Sequence, residues 1–466
     1  MMMKRPRSLN DGGAGAGRIV AVFLLLIAVT SPSFSGRCLA RRDYFHRRPA
    51  PAGGRHGPPR PLSPPPPPPP PPTSPTTFSV LKYGAVGDGA TDDTKASAGA
   101  TRAFVKAWSA ACAVRSSTVV VPASYRFLVG PVTFTGDSCQ PNTVFQVDGT
   151  IVASTGSGAW RSGAQQWLEF KSFSGLTIRG SGTVDGQGSH WWSGGTPTEL
   201  DDDADRVGTS NRPTAVRVYQ STNVAVTGIT ITNSARFHLT LDNCHSVDVR
   251  GVAVRSPGDS PNTDGIHLTG SVGVAIHNAT IASGDDCVSI QDGCSGVLVR
   301  GVTCGPGHGI SIGGLGKGGT TGVVSDVTVQ DVSLVQTTSG VRIKTWQGGA
   351  GSVRNVRFSG VRVSAVKTPI VIDQYYCDHA RCANQTAAVA VSGVSYSGVT
   401  GTYTQRPVYL ACSDATPCAG VHLEDIHLTP VKNGYGHLDG PFCWKAYGDE
   451  VRPVQPPVDC LMAGSP

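Results

Sequence analysis

Three short polar segments recur at a constant interval in the middle of this chain. Asp264 and Asp286 are 22 residues apart, and His308 follows Asp286 after another 22 residues. Each of the three lies two residues before an alternating aliphatic pair, namely Ile266/Leu268, Val288/Ile290 and Ile310/Ile312. Equal spacing with an equal local pattern is typical of one structural unit repeated along the chain. In a parallel β-solenoid, the three polar side chains would stack in a row about 4.8 Å apart.

A second pattern, aliphatic-x-aliphatic-x-x-aliphatic, recurs through much of the chain at similar intervals. It occurs at Leu176/Ile178, Val224/Val226/Ile229, Val247/Val249/Val252, Val274/Ile276, Val297/Val299/Val302, Val327/Val329/Val332 and Val356/Phe358/Val361. Alternating, β-branched residues bounded by Gly, Asn, Asp and Ser suit strands that are buried on one side. The 59 glycines fit sharp corners between such short strands.

The repeat predicts an all-β fold, a single-stranded right-handed parallel β-helix. A propeller would need longer units of four strands, and a sandwich would not keep so regular a phase. We expect one domain over residues 78–466, with a first strand at Phe78–Leu81. A helix at Asp93–Ala111 is expected to cap the apolar end of the solenoid, and the stretch Cys412–Cys460 is expected to close the other end.

The residues before this domain have the composition of targeting and linker segments. Residues 1–40 combine a basic start with the apolar run Ile19–Val29, which is too short to span a bilayer and is typical of a signal peptide. Residues 41–77 form a basic, Pro-rich, disordered linker with nine consecutive prolines at Pro64–Pro72. The basic arm either docks on a polyanionic matrix or is a solvated spacer. These features predict a secreted, extracellular or cell-wall protein with no membrane attachment after cleavage.

The formal net charge of +7 belongs to the leader and the linker. Residues 1–60 contain 11 of the 39 basic residues and 2 of the 32 acidic residues. Residues 61–466 therefore contain 28 basic and 30 acidic residues. A domain that is not basic, in an exported chain, argues against nucleic acid as a partner. We expect the domain to be a monomer.

The cysteine count also suits an oxidising compartment. Cleavage after Ala40 would remove Cys38 and leave 12 of the 13 cysteines, an even number that predicts disulfides. Separation alone suggests the pairs Cys287/Cys304, Cys377/Cys382, Cys412/Cys418 and Cys443/Cys460. Asn278 and Asn384 begin two glycosylation sequons.

The polar row brings carboxylates together, because Asp285 directly precedes Asp286. Like charges at close range resist joint ionisation, so the pKa of one carboxyl rises while its neighbours stay charged. Such a cluster supplies both an acid and a base, as cleavage of a glycosidic bond requires. Arg342 and Lys344 alternate with inward aliphatic residues on a following strand and therefore face outward. Two cations beside an acidic cluster favour an anionic substrate.

Four segments of the chain contain these residues in a fixed order. They are SPNTDGIH at Ser260–His267, GDDC at Gly284–Cys287, CGPGHGISIG at Cys304–Gly313 and VRIKTW at Val341–Trp346. They resemble the signature motifs of plant-type polygalacturonases, which form glycoside hydrolase family 28. Supporting matches lie at Tyr83–Ala85, Gly182–Gly188 and Pro369–Cys377, and the resemblance extends from about residue 78 to the C-terminus.

The resemblance implies hydrolysis of α-1,4 bonds in the galacturonan backbone of pectin, with inversion at the anomeric carbon and with no metal or cofactor. In this scheme Asp286 is the general acid, Asp264 and Asp285 hold the attacking water, and His308 supports the acid. The implied substrate-binding residues are Asn262, Arg342, Lys344, Gln374 and Tyr376. A one-coil separation of about 5 Å between carboxylates would by the general rule indicate retention instead.

Two other functions remain open at this point. A lyase on the same solenoid would use the aspartates to hold Ca²⁺ against a substrate carboxylate. A non-catalytic wall protein would bind pectin through the basic arm and the Pro-rich stalk. The adjacency of Asp285 and Asp286 with His308 suits proton transfer better than a calcium site. The non-catalytic wall protein is the least favoured, because all the carboxylates and cations that catalysis needs are present.

Overall fold

The structure is a computed structural model that describes residues 76–93, 102–155, 160, 165–192, 212–378, 382–431 and 439–466. The predicted signal peptide and almost all of the predicted linker lie outside these residues. Residues 71–466 belong to one compact unit. Within the described residues, no helix has both the length and the apolar character that a membrane span requires.

The chain is built from short strands. The first group is β1 Thr77–Ser79, β2 Asp88–Asp92, β3 Thr118–Val121, β4 Arg126–Val129, β5 Val132–Thr135, β6 Thr143–Val147, β7 Thr150–Ala153, β8 Gln166–Lys171, β9 Ser174–Arg179 and β10 Thr183–Asp185. The second group is β11 Thr214–Tyr219, β12 Thr222–Thr227, β13 Thr230–Thr232, β14 Leu239–Asp242, β15 His245–Arg250, β16 Ala253–Arg255, β17 Ile266–Thr269, β18 Val272–His277, β19 Thr280–Ala282, β20 Val288–Ile290, β21 Ser295–Arg300 and β22 Thr303–Cys304.

The C-terminal coils use longer strands. They are β23 Ile310–Leu315, β24 Thr321–Val335, β25 Ser339–Trp346, β26 Ala350–Val366, β27 Thr368–Tyr376, β28 Ala390–Tyr403, β29 Val408–Ala411, β30 Cys418–Pro430, β31 Phe442–Trp444, β32 Ala446–Gln455 and β33 Met462–Ala463. The helices are α1 Ala103–Cys112 and α2 Ser189–Trp192, with 3₁₀ turns at Val80–Tyr83 and Lys317–Gly319.

Strands of successive coils stack in parallel and confirm the predicted right-handed parallel β-helix. Eleven strands form one sheet, in the order β5, β8, β11, β14, β17, β20, β23, β25, β27, β29 and β31, which we call the cleft sheet. The remaining 22 strands form the other faces of the coil. In a middle coil, β17 belongs to the cleft sheet and is followed by β18 and β19 on the other faces. From β24 onward, one long bent strand replaces the two separate ones.

The repeated aliphatic residues fill the interior, as the sequence pattern predicts. Val247, Val249 and Val252 are 2% exposed or less. The two-residue gap before the third aliphatic position contains a corner in the left-handed backbone region. Gly, Asn and Asp occupy that corner because they tolerate a positive φ better than other residues. Eight successive coils repeat it, at Gly228, Gly251, Asn278, Gly301, Asp331, Gly360, Gly398 and Asp425.

The helix α1 covers the N-terminal end of the core. Trp108 is 4% exposed and packs against Phe134, Phe145, Phe170 and Phe173. The sequence predicted this capping helix at Asp93–Ala111, whereas the described helix begins at Ala103 and ends at Cys112. The predicted strand Phe78–Leu81 is also shorter, because β1 ends at Ser79 and a 3₁₀ turn follows. Residues 94–101 lie outside the described part of the chain.

The four cysteine pairs suggested by sequence separation are present as disulfides. A fifth joins Cys112 at the end of α1 to Cys139. Cys244 and Cys294 are buried and unpaired, so the even count overestimates the number of disulfides by one. They lie two coils apart with Ser271 between them, too far for a bond between their sulfur atoms. The disulfides fit an extracellular protein.

Candidate active site

The polar row lies along one edge of the cleft sheet, where three successive strands begin. In the ladder, Ile266 pairs with Val288, and Val288 pairs with Ile310. Asp264, Asp286 and His308 each precede these residues by two positions, so the ladder places them just before the starts of three adjacent strands. The His308 side chain contacts Asp285. The disulfide between Cys287 and Cys304 anchors the residue directly after Asp286. The site is therefore fixed by the register of the solenoid.

Asp286 is an anion held between two cations. Its Oδ1 accepts hydrogen bonds from Ser311 Oγ at 2.7 Å and from Arg342 Nη2 at 2.8 Å, and its Oδ2 lies 3.3 Å from Lys344 Nζ. Burial of this 1% exposed residue raises its pKa, but Lys344 and Arg342 outweigh burial and leave the pKa below its ordinary value. In the ligand-free protein, Asp286 is therefore a carboxylate.

Asp285 and His308 form a second pair that faces the cleft. His308 Nδ1 lies 3.0 Å from Asp285 Oδ1, and the backbone N–H of Asp286 donates to the same oxygen at 2.7 Å. Burial opposes both charges, yet the hydrogen bond and the attraction between the partners lower the pKa of Asp285 and raise that of His308. The His308 side chain is 38% exposed. The pair thus holds one proton that can exchange with the cleft.

Two histidines position Asp264, of which His238 is buried and His267 is partly buried. His267 Nδ1 lies 2.8 Å from Asp264 Oδ2, and the Phe237 ring stacks on the His267 ring at 4.0 Å. His238 Nδ1 donates to the backbone carbonyl of Asp264 at 2.9 Å and accepts from Ser256 Oγ through Nε2. Burial lowers the pKa of His238 and of His267 to about 4, so both rings are neutral donors through Nδ1 at mildly acidic pH.

Four of the five predicted substrate-binding residues keep some solvent exposure, whereas Gln374 is fully buried. Arg342 and Lys344 reach the cleft from β25, and the Tyr376 ring lies beside Lys344 Nζ at 4.9 Å and beside Trp346 at 5.5 Å. Asn262 is partly exposed in the left-handed backbone region, two residues before Asp264. Tyr375 points elsewhere, because its hydroxyl donates to Asp414 at 3.3 Å.

Gln374 is the exception, and the prediction that it binds substrate needs correction. Its side chain is fully buried, its Nε2 donates to the Val389 carbonyl at 2.7 Å, and its Oε1 accepts from the Ser413 N–H at 2.8 Å. Strand alternation explains the error, because Gln374 points inward between the outward-facing Asp373 and the following tyrosines. Gln374 ties β27 to the loop after β29.

The sequence analysis gave no role to Ser311 and His267, although both lie in its motifs. Ser311 Oγ accepts from Arg342 Nε at 3.0 Å while donating to Asp286, and so it bridges the carboxylate and the guanidinium. A usable signal was present: in the ladder, His267 pairs with Ser289, Ser289 with Ser311, and Ser311 with Arg342. Outward polar residues in register with a predicted site residue belong to the same site.

Asp285, Asp286 and His308 bring ligand atoms within 4.8 Å of one another, which raises the question of a metal. The donor set does not fit Ca²⁺, because both oxygens of Asp286 already face cationic side chains. An ammonium and a guanidinium at these distances would repel a divalent ion. The carboxylate of Asp286 is thus already neutralised by two side-chain cations.

A β-helix with an acidic cluster and adjacent cations in one cleft defines a carbohydrate-active protein with an acidic ligand. The sequence model described as Glycosyl hydrolases family 28 matches residues 112–435. A protein of Arabidopsis thaliana named as a probable polygalacturonase is 39% identical over 82% of this chain and 83% of its own length. A polygalacturonase of Persea americana is 40% identical over 77% of this chain and 75% of its own. The chain therefore belongs to glycosyl hydrolase family 28.

A solved structure supports the fold independently. The polygalacturonase from Erwinia carotovora ssp. carotovora superposes with a TM-score of 0.60 at 24% identity, over 79% of this chain and 97% of that one. At this identity, the similarity concerns the architecture of the solenoid alone.

Proposed function

We propose that the protein is a secreted polygalacturonase that hydrolyses α-1,4-galacturonosyl bonds of pectin by general acid and base catalysis with inversion. The observation that carries the proposal is the position of Arg342 and Lys344 in the cleft directly beside the carboxylates. These cations match the carboxylate that every galacturonate unit carries. The relatives named as polygalacturonases support the same substrate.

The contacts favour a division of roles that differs from the one the resemblance implies. We assign the proton donor to Asp285 with His308, because this pair shares an exchangeable proton that faces the cleft. Asp286 suits the base, because two cations keep it ionised. Asp264 would hold the attacking water together with Asp286, and the neutral His267 would orient its carboxylate.

The pH dependence follows from these states. The pKa of Asp286 lies below its ordinary value, so the base remains charged in mildly acidic solution. The pKa of His308 is raised, so the donor pair keeps its proton at low pH and loses it as the pH rises through that value. We expect a mildly acidic optimum with an alkaline limb that reports the Asp285–His308 pair. An optimum in alkaline solution would contradict this assignment.

The activity is tested by incubating the secreted protein with de-esterified polygalacturonate in EDTA. New reducing ends without ultraviolet absorbance from an unsaturated sugar establish a metal-independent hydrolase. The anomer formed first, followed by NMR, should be β, as inversion of an α-linkage requires. Activity that needs added Ca²⁺ and yields an unsaturated product would replace this proposal with the lyase.

The acid role of Asp285 and the base role of Asp286 can be distinguished with a substrate whose leaving group departs without protonation. We expect both Asp285→Asn and Asp286→Asn to lower kcat on polygalacturonate at least 100-fold, an order of magnitude typical of a lost acid or base. On α-galacturonosyl fluoride, Asp285→Asn should recover most of its activity, whereas Asp286→Asn should not. Recovery by Asp286→Asn alone would instead support the role that the resemblance implies.

Secretion, glycosylation and a monomeric state belong to the same proposal. The five disulfides and the exposed side chains of Asn278 and Asn384 in their sequons support export through an oxidising compartment. An increase in mass that peptide-N-glycosidase removes from the secreted chain would verify it. The monomer is checked by the mass of the secreted protein in solution.

A further inference from the structure

Alternating cations and aromatic rings connect Asp286 to Lys317, a residue without a role in the proposed chemistry. Lys344 Nζ, which is 3.3 Å from Asp286 Oδ2, lies 4.9 Å from the centroid of the Tyr376 ring. The Tyr376 and Trp346 rings meet edge to face, with centroids 5.5 Å apart and an interplanar angle of 87°. Lys317 Nζ lies 5.0 Å from the centroid of the Trp346 ring. These contacts form one continuous row from Lys317 to the carboxylate.

A bulge in the cleft sheet brings together Trp346 and Tyr376, which we call the ring pair. Lys344 pairs with Asp373 in the ladder, but Trp346 pairs with Tyr376, so β27 has one residue more than β25 between these two positions. Such a bulge changes the direction of the following side chain and is common next to active sites. Gly314 on β23 leaves the space, because a Cβ atom there would lie 2.7 Å from Trp346 Nε1 and 3.1 Å from Tyr376 Cδ1. The sheet is therefore shaped to hold the ring pair.

A buried carboxylate holds Lys317 over the ring pair. Lys317 Nζ lies 3.0 Å from Asp378 Oδ2, and the two side chains are 43% and 4% exposed. Asp378 directly follows Cys377, whose disulfide with Cys382 closes the loop after β27. A lysine on a surface turn would otherwise sample many rotamers, so this contact, which we call the anchoring ion pair, confines its ammonium to the face of Trp346.

The position of Lys344 matters for the charge of Asp286. Burial raises the pKa of Asp286, and Lys344 contributes most among the groups that lower it, followed by Arg342. Asp285 opposes this lowering and His308 supports it. Because the attraction between charges falls with distance, a displaced Lys344 would hold the carboxylate less firmly in its ionised form.

We propose that the anchoring ion pair of Lys317 and Asp378 acts through the ring pair to position Lys344. Both residues act through other side chains and are therefore positioning residues. A buried ion pair contributes little to stability, because desolvation offsets the attraction, and its best-attested use is to specify one arrangement of its surroundings. The reaction that depends on this arrangement rests on the proposed function, whereas the row consists of contacts within the protein.

Activity measurements test whether the anchoring ion pair acts as a unit. Asp378→Asn and Lys317→Met should each lower kcat on polygalacturonate about tenfold, because small misplacements of a catalytic site are costly. Lys317→Arg should restore most of the loss, since a guanidinium can also pair with Asp378 and stack on Trp346. The double variant of Asp378→Asn with Lys317→Met should be no worse than either single variant, as expected of two residues that share one interaction.

Two further readouts separate positioning from a purely structural role. In Lys317→Met, the acid limb of the pH profile, which reports the ionisation of Asp286, should move to higher pH. A crystal structure of Lys317→Met should show a longer distance between Lys344 Nζ and Asp286 Oδ2. Lys445→Met is the matched control, because Lys445 Nζ lies 5.9 Å from the ring of Trp444 on β31, outside the row. It should change neither kcat nor the pH profile.

This proposal and the proposed function fail separately. If polygalacturonate is hydrolysed but Lys317→Met and Asp378→Asn keep kcat and the pH profile, the positioning role is wrong and the proposed function stands. A loss that Lys317→Arg does not restore would also contradict positioning. If the unmodified protein hydrolyses nothing, the proposed function is wrong, and the crystal structure of Lys317→Met decides the positioning role: a displaced Lys344 supports it, and an unmoved Lys344 refutes it.

Discussion

The charge of each carboxylate in the cleft is set by its immediate partners. Asp286 faces Arg342 and Lys344, Asp285 faces His308, and Asp264 faces the neutral His267. Three residues of one type, within adjacent coils, thus have three different environments. The sequence predicted that crowding would raise the pKa of one carboxyl, whereas the pKa values of Asp285 and Asp286 are both lowered by their cationic partners. The proton of the Asp285–His308 pair is therefore held by His308, whose pKa is raised.

Buried histidines also make stability depend on pH. His238 has a pKa of about 4 when folded instead of about 6.5, so the unfolded chain binds more protons between these values. Stability should therefore fall as the pH drops from 6.5 to 4, by up to about 3 kcal/mol for this group. His238→Asn, which keeps a donor for the Asp264 carbonyl, should reduce that slope in urea titrations.

His267 contributes a second, similar proton uptake, so the slope should be reduced by about half rather than abolished. The raised pKa of His308 acts in the opposite sense, because its stabilisation is lost as the pH rises through that raised pKa. The exposed His190 provides the matched control, His190→Asn. An unchanged slope in His238→Asn would mean that the ring is not neutral in the folded protein.

The sequence was sufficient to predict which residues cluster, because a fixed period fixes the neighbours of each position. Asp264, Asp286 and His308 lie just before three adjacent strands for that reason. The period could not predict the partner of each carboxylate. Arg342 reaches Asp286 from two strands away in the ladder, and that contact depends on the length and rotamer of its side chain. Gln374 was assigned to the substrate from its motif alone, whereas alternation along β27 directs its side chain into the interior.

At the scale of the element, alternate side chains of each strand point into the core and out to the surface. In β25, Val341 and Ile343 are fully buried in the core while Arg342 and Lys344 enter the cleft. The recurring left-handed corner explains why the aliphatic pattern skips a residue, and from β24 onward it lies within a continuous strand instead of between two strands. The existence of strands was predictable from this pattern, whereas the merging of faces into long strands such as β24 was not.

The long strand β28 contains a buried tyrosine hydroxyl that the described residues leave unsatisfied. Tyr396 in β28 is fully buried and stacks on Phe358 at 5.0 Å, and its hydroxyl has no hydrogen-bond partner among the described residues. Because an unpaired buried hydroxyl is costly, Tyr396→Phe should raise the free energy of unfolding by about 1 kcal/mol. Chemical denaturation measures this change. Tyr403→Phe in the same strand is the control, and a destabilised Tyr396→Phe would show that the hydroxyl has a partner such as water.

At the scale of the whole molecule, a solenoid is stabilised by contacts between neighbouring coils, so its ends need protection. The cleft is distant from both ends, since the polar row begins at β17 in the middle of the eleven-stranded sheet. We therefore expect that an end can open without altering the distances between Asp264, Asp285 and Asp286. The helix α1 and the aromatic cluster beneath it protect the N-terminal end.

Removing Trp108 tests this local role of the cap. Its indole donates to the Thr135 carbonyl at 3.1 Å and packs on four phenylalanines, so Trp108→Ala should cost about 3–5 kcal/mol. Because coils contact only their neighbours, hydrogen exchange should accelerate first in β1 to β8 and much less around β25. Tyr125→Ala removes an aromatic residue that is 41% exposed near the same end and should change exchange little. Equal acceleration in every coil would mean that the solenoid opens as one cooperative unit, with α1 contributing to global stability.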